Sequence, residues 1–288
     1  MKLCSSCDYR FEGMDWHCPR CEQTPPEEQG FLQFAHGLAN ENTGFKPEYF
    51  ADLAKLEAFH FWFRNRNRLL IWALGAYFPA ARRFLEIGCG TGFVLSGLKQ
   101  AFPDLNVAGS DMFIEGLAFA RSRLPGVSLY QMDALQIPFE GEFDVVGAFD
   151  VLEHIEDDHA VLGEMHRAVK PGGGLMLTVP QHPSLWSGAD TSACHRRRYT
   201  RKELVGKVES AGFKVRRATS FVSLLLPLLC LSRRRATRAK DIAANAEFQM
   251  NRTLNNLLEA VLHFETRLIK CGVSFPAGGS LLLLGERR

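Results

Sequence analysis

From residue 84 onward the apolar positions switch repeatedly between two periods. Phe84-Leu-Glu-Ile87, Val107-Ala-Gly-Ser110, Val127-Ser-Leu-Tyr130, Phe143–Phe149 and Leu175-Met-Leu-Thr-Val179 are short apolar runs that predict strands. Between them, residues 93–101, 113–123 and 158–169 carry apolar residues at helical spacing. The last stretch puts Val161, Leu162, Met165, Ala168 and Val169 on one face, and Pro171 with three glycines stops it. Thr200-Arg-Lys-Glu203 reads as a capping box opening a helix that ends near Gly212. Phe213–Thr219 and Ser280–Leu284 complete seven strands. Strands alternating with helices predict an α/β fold, a mostly parallel sheet covered on both faces.

The flanking segments read differently. Pro47 can open a helix, and Leu53, Leu56, Phe59 and Phe63 follow at helical spacing. Residues 47–79 therefore predict a helical cap packed on the main core, with a lid over a substrate as the sharper alternative. Residues 221–279 form an insertion before the last strand. In it, residues 248–270 place Leu254, Leu257, Leu258, Val261 and Leu268 on one face, with Gly272 beyond the end. Phe221–Leu231 is the longest apolar run, and it is shorter than the roughly 20 residues a bilayer span needs.

Four of the eight cysteines sit in the first 21 residues as Cys4-x-x-Cys7 and Cys18-x-x-Cys21. Two such turns offer four thiolates to one tetrahedral ion, the ligand set of a structural zinc. Residues 1–22 are expected to be a small zinc ribbon, 23–46 a polar, Pro-rich linker, and 47–288 the main domain. No cofactor motif lies in the ribbon, so it is expected to be dispensable for cofactor binding. The N-terminus has no apolar signal region, which suggests a cytoplasmic chain with reduced thiols. The formal net charge is only +2, and residues 1–30 carry three basic and six acidic side chains, arguing against nucleic acid as partner. Residues 195–207 carry six basic and one acidic, and residues 221–240 five basic and none acidic. An anionic partner would meet these later segments.

The chemistry concentrates at the predicted carboxyl ends of the strands, where open α/β sheets bind ligands. Glu86-Ile-Gly88-Cys89-Gly90-Thr-Gly92 follows the first strand and opens a helix. Its G-x-G-x-G spacing departs from the dinucleotide fingerprint, and the preceding acid suits an ammonium-bearing ligand better than a pyrophosphate. Asp111 closes the second strand at the distance where an acid reaches a ribose. Asp133 and Ala134 follow the third strand, and Phe149 and Asp150 end the fourth.

Together with Val169-Lys-Pro-Gly-Gly-Gly174 and Asp150-Val-Leu-Glu153-His154, these motifs resemble those of the class I S-adenosylmethionine-dependent methyltransferases, from about Phe84 to Val179. The resemblance implies a seven-stranded Rossmann-like sheet with the last strand antiparallel. It implies S-adenosyl-L-methionine bound by Glu86, Gly88, Cys89, Gly90, Gly92, Asp111, Met112, Asp133, Ala134, Phe149 and Asp150. The glycine loop would cradle the methionine part, Asp111 the ribose hydroxyls and Asp133 the adenine side. Glu153 and His154 look like the acid-rich stretch of the ubiquinone-pathway O-methyltransferases, where such residues act as base or hold a divalent ion. His195, with His182 and Asp190, belongs to a second cluster after the fifth strand, and all three of Glu153, His154 and His195 are catalytic candidates. Arg196, Arg197 and Arg198 are candidates for holding an anionic acceptor.

The expected function is methyl transfer to a small-molecule or lipid-like acceptor. The alternatives are a non-catalytic cofactor-binding adaptor and a methyltransferase of nucleic acid or protein. The apolar run beside the basic residues of 221–240 adds an expected peripheral membrane contact, against a packed helical cap or dimer surface.

Overall fold

The computed structural model describes residues 1–13, 15–35, 49–236 and 250–288. Its centre is a mixed sheet whose strands, in chain order, are β3 (Glu27–Glu28), β4 (Phe31–Gln33), β5 (Arg83–Ile87), β6 (Asn106–Asp111), β7 (Ser128–Gln131), β8 (Phe143–Phe149), β9 (Val169–Pro180), β10 (Phe213–Phe221) and β11 (Ser280–Arg287). The spatial order is β10-β11-β9-β8-β5-β6-β7-β4-β3. Strands β5 to β9 run parallel, and β11 lies antiparallel between β9 and β10. The expected seven strands are all present. β5 and β8 are buried along nearly their whole length because helices cover both faces.

Two differences from the sequence reading matter. The span 23–46 is not simply a linker: β4 pairs in parallel with β7, and β3 pairs with β4, extending the sheet to nine strands. Residues 36–46 of that span lie outside the described residues. The helix before Pro171 stops at Ala168 as expected, but the strand expected from Leu175 begins earlier, at Val169, so the glycines at 172–174 lie within β9, where it slips register against β8. Only short backbone fits there: a Cβ on Gly174 would lie 2.4 Å from the Phe78 ring.

One apolar core fills each face. On one, α2 (Phe61–Tyr77), α3 (Phe93–Ala101), α4 (Ile114–Arg123) and α9 (Arg252–Lys270) pack with β5 and β8 residues. On the other, α5 (Asp158–Ala168) and α7 (Arg201–Ser210) share a core with the N-terminal ribbon, whose own β1 (Lys2–Leu3) and β2 (Arg10–Phe11) pair antiparallel. The helix α1 (Tyr49–Leu56) packs on α4. In the insertion, α8 (Leu226–Ala236) precedes α9. Arg238 and Lys240 lie outside the described residues. No helix among the described residues is long and apolar enough to cross a membrane.

Candidate functional site

The loop after β5 is built for close approach. Gly88, Gly90 and Gly92 all have positive φ, and a Cβ on Gly88 would lie 2.5 Å from Val151 Cγ2. Gly92 then caps α3. The β6 acid closes over this loop: Asp111 Oδ2 accepts the Gly90 N–H at 2.8 Å and Oδ1 the Phe113 N–H at 3.0 Å. Burial nevertheless pushes the Asp111 carboxyl up to about 6. Met112 follows it, and its carbonyl accepts from Gln131 at 3.0 Å. Glu86 is buried, its Oε2 has no hydrogen-bond partner among the described residues, and burial holds its pKa well above the usual carboxylate range. Asp133 accepts the Leu135 N–H at 2.9 Å, beside buried Ala134. Cys89 and Phe149 are buried beside the same strand ends.

Asp150 sits at the end of β8 with φ 59, a left-handed conformation that costs a non-glycine residue about 1–3 kcal/mol. Its carboxylate accepts from Thr178 Oγ1 at 3.1 Å and from the Arg66 guanidinium. Arg66 comes from α2 and lies over the Trp62 ring, 4.6 Å from its centroid. Sequence reasoning missed this cation. Its only signal was an arginine set among aromatics in Phe61-Trp-Phe-Arg-Asn-Arg66. Two more cap residues meet the loop. Phe50 lies 3.5 Å from where a Gly90 Cβ would be, and Glu57 accepts from Thr91 Oγ1 at 2.5 Å and Arg123 at 2.8 Å. The cap thus covers the glycine loop as well as packing on α3 and α9.

Beyond Asp150 the chain makes a 3-10 turn, Leu152–His154. Glu153 is fully buried, and neither carboxylate oxygen has a hydrogen-bond partner among the described residues. Burial, reinforced by the Asp150 charge, raises its pKa well above the ordinary value. His195 Nε2 lies 4.0 Å from Glu153 Oε1. His154 packs edge-on to His195, centroids 4.8 Å apart, and burial next to His195 pushes His154 down to about 4. Donor atoms of Glu153, His154 and His195 all lie within 4.8 Å of one another.

His195 is held from behind. Its Nδ1 lies 3.0 Å from Asp190 Oδ1, and Asp190 also accepts from Arg198 Nε at 2.7 Å and the Ser187 N–H at 2.9 Å. Burial alone would raise Asp190, but His195 and Arg198 hold it down to about 2. The expected acceptor-binding arginines are thus engaged within the chain. Arg198 is buried on Asp190, Arg196 donates to His154 O and Glu156, and Arg197 pairs with Glu156 and Asp158. His182 stands on the same edge at φ 63.

At the ribbon, the Cys4 and Cys21 sulfurs are 3.5 Å apart, those of Cys7 and Cys18 3.7 Å, and all four thiols are free. Tetrahedral zinc at about 2.3 Å from each sulfur separates its ligands by about 3.8 Å, so the donor set fits the ion. The strand-end site fits a cationic cofactor in the same sense: it carries a buried carboxylate with an unpartnered oxygen beside a loop too tight for side chains.

A family model described as a methyltransferase domain matches residues 54–218. A Mycolicibacterium smegmatis protein named "Probable S-adenosylmethionine-dependent methyltransferase" is 30% identical over 159 residues, 54% of this chain and 60% of that one. The ubiquinone biosynthesis O-methyltransferase of Pseudomonas aeruginosa is 37% identical over 114 residues, 37% of this chain and 48% of that one. The chain thus spans about half to three fifths of the length of these relatives. Among solved structures, a SAM-dependent methyltransferase from Thermotoga maritima aligns at TM-score 0.53 and 16% identity, over 84% of this chain and 95% of that one. Phosphoethanolamine N-methyltransferase 2 of Haemonchus contortus, in complex with S-adenosyl-L-methionine, aligns at TM-score 0.51 and 20% identity, over 76% of this chain and 52% of that one. These two likenesses concern the fold.

Proposed function

The chain belongs to the class I S-adenosylmethionine-dependent methyltransferases, and from that premise we propose that it methylates a small-molecule or lipid-like acceptor beside Glu153, His154 and His195. Glu86, Gly88, Cys89, Gly90, Gly92, Asp111, Met112, Asp133, Ala134, Phe149 and Asp150 hold the cofactor in this reading. Bound S-adenosyl-L-methionine supplies a methyl group already activated on a positively charged sulfur. The chain's own work is then to seat an acceptor in line with that methyl and to take one proton from it.

The observation that carries the reading is Glu153, a carboxylate buried without a hydrogen-bond partner among the described residues, beside two histidines at the strand edge. Such a group costs stability unless a ligand completes it. Asp190 supports His195 as the proton acceptor: it fixes the ring through Nδ1 and leaves Nε2 toward the site. An oxygen acceptor is favoured by the partial similarity to ubiquinone biosynthesis O-methyltransferase. The test is titration calorimetry with S-adenosyl-L-methionine, followed by methyl transfer to a panel of hydroxyl, amine and lipid acceptors by wild type and Glu153→Gln. One cofactor per chain and a Glu153-dependent transfer are expected. No heat with the cofactor would overturn the reading. We assign Cys4, Cys7, Cys18 and Cys21 to one structural zinc, to be counted by metal analysis of reduced protein.

A peripheral lipid contact is favoured by exposed Leu224, Leu228 and Leu231, with exposed Leu254, Leu257 and Phe264 on α9, while Arg233 is turned inward onto Ser187 and Asp190. Flotation with anionic liposomes, retained at low salt and released at high salt, is the expected behaviour.

A further inference from the structure

We propose that the cysteine ribbon is a positioning element of the cofactor site, and that metal at the ribbon and cofactor at the sheet edge bind cooperatively through Gln131. The inference rests on the two assignments made above, zinc at the four cysteines and S-adenosyl-L-methionine at the strand ends. It replaces the expectation that the ribbon is dispensable for cofactor binding.

The ribbon is not a separate body. Cys4, Cys18, Trp16 and Phe34 share one apolar core with Met132, Ala134, Ile137 and Phe139, the residues that surround and follow Asp133. Trp16 is the pivot: its ring lies 4.4 Å from Phe34, 5.4 Å from Phe139 and 6.0 Å from Tyr130. The start of the ribbon also grips this loop directly. Leu3 N–H donates to Pro138 O at 3.0 Å, and Lys2 bridges to Phe139.

The tail of the ribbon reaches further, to the ribose acid. β4 pairs with the end of β7, and the Phe34 N–H donates to Gln131 O at 2.8 Å. The buried Gln131 side chain then uses its whole amide. Its Oε1 accepts the Ala35 N–H at 3.2 Å, and its Nε2 donates to Ala35 O at 3.3 Å and to Met112 O at 3.0 Å. Met112 follows Asp111, and the Met132 N–H donates to Asp111 O at 3.0 Å. One side chain therefore ties the ribbon tail to the backbone next to the carboxylate assigned to the ribose.

A segment of this size cannot hold its shape by apolar burial alone, and a metal supplies the missing folding free energy. Loss of the metal releases Trp16 and Phe34 and unpairs β4. Gln131 is then left with a buried amide that must find new partners, and Met112 and Asp133 lose their backing. Because both ligands favour the same ordered edge, each strengthens the other, and the factor is the same in both directions.

The test uses the full-length chain. A chromogenic zinc chelator measures the ribbon's zinc affinity with and without saturating S-adenosyl-L-methionine, and calorimetry measures cofactor affinity with and without zinc. Zinc affinity is expected to rise at least about 5-fold with cofactor, and cofactor affinity to fall by the same factor on stripping. Gln131→Leu is expected to bind both and to bring the factor toward one. Equal zinc affinities with and without cofactor, in a chain that binds both, would overturn the coupling while leaving both site assignments standing. Full coupling in Gln131→Leu would overturn the role of Gln131. A chain that takes up no zinc overturns the ribbon assignment and this inference with it. The wild-type comparison decides the coupling by itself should the variant not fold.

Discussion

Replacing Glu153 by glutamine separates a catalytic carboxylate from a structural one. In the folded chain, burial and then the Asp150 charge hold the Glu153 pKa well above the ordinary value. In the unfolded chain it titrates near the usual ~4.3. Between those two values the folded form keeps a proton that the unfolded form has released. Stability is therefore intact below the unfolded pKa and falls as pH rises through the window, by at most about 1.4 kcal/mol per pH unit for one proton. For 288 residues, at about 2.1 cal/mol/K of unfolding entropy each, unfolding entropy is about 0.6 kcal/mol/K. The Tm cost is then about 2 °C per pH unit. Glutamine keeps the volume and never ionises, so this share of the pH dependence vanishes. The Tm of Glu153→Gln minus that of wild type is expected to climb with pH above about 5, while methyl transfer falls by about 10²–10⁴ with the loss of the acid beside the His195 Nε2 that takes the proton. Parallel calorimetric scans across a pH series read the first effect and single-turnover rates the second. A variant less stable than wild type by the same margin at every pH would refute the reasoning, because it would show Glu153 to be a satisfied core residue.

Three further outcomes are expected. In the proposed reading the ionised Asp111 carboxylate is the acceptor offered to ribose hydroxyls, and burial brings its pKa up to about 6. Cofactor affinity should therefore weaken as pH falls through about 6, and Asp111→Asn should bind weakly at every pH with that inflection gone; a calorimetric pH series reads both. Asp190→Ala leaves Arg198 buried without its carboxylate, which should cost about 3–5 kcal/mol and lower Tm by about 5–8 °C. Thermal scans check this, and an unchanged Tm would contradict the buried pair. Gly88→Ala puts a methyl against Val151 at φ 69, so it should destabilise the chain by about 1–3 kcal/mol and weaken cofactor binding in the same titration.

The local patterns carried a great deal. Alternating periods mark strands and helices whose residues are neighbours in the chain, so the order of elements from Phe84 to Val179 is legible. A parallel sheet with a strand-end ligand edge follows from that alternation, and the glycine loop declares itself because its positive φ values demand glycine. The paired cysteine turns announce a four-sulfur site for the same reason, since only two residues separate the members of each pair. What depends on contact between distant segments was not legible. Arg66 reaches Asp150 across 84 residues, and Asp190 holds a histidine 4.0 Å from Glu153, which lies 42 residues earlier. The three adjacent arginines looked free for a ligand until the fold paired each with an acid or carbonyl around the same turn. The polar stretch read as a linker joined the sheet only because β7 offered β4 an unpaired row of backbone groups. A strand's partner lies outside its own sequence, and three-dimensional packing alone decided that the ribbon would lean on the loop that follows β7.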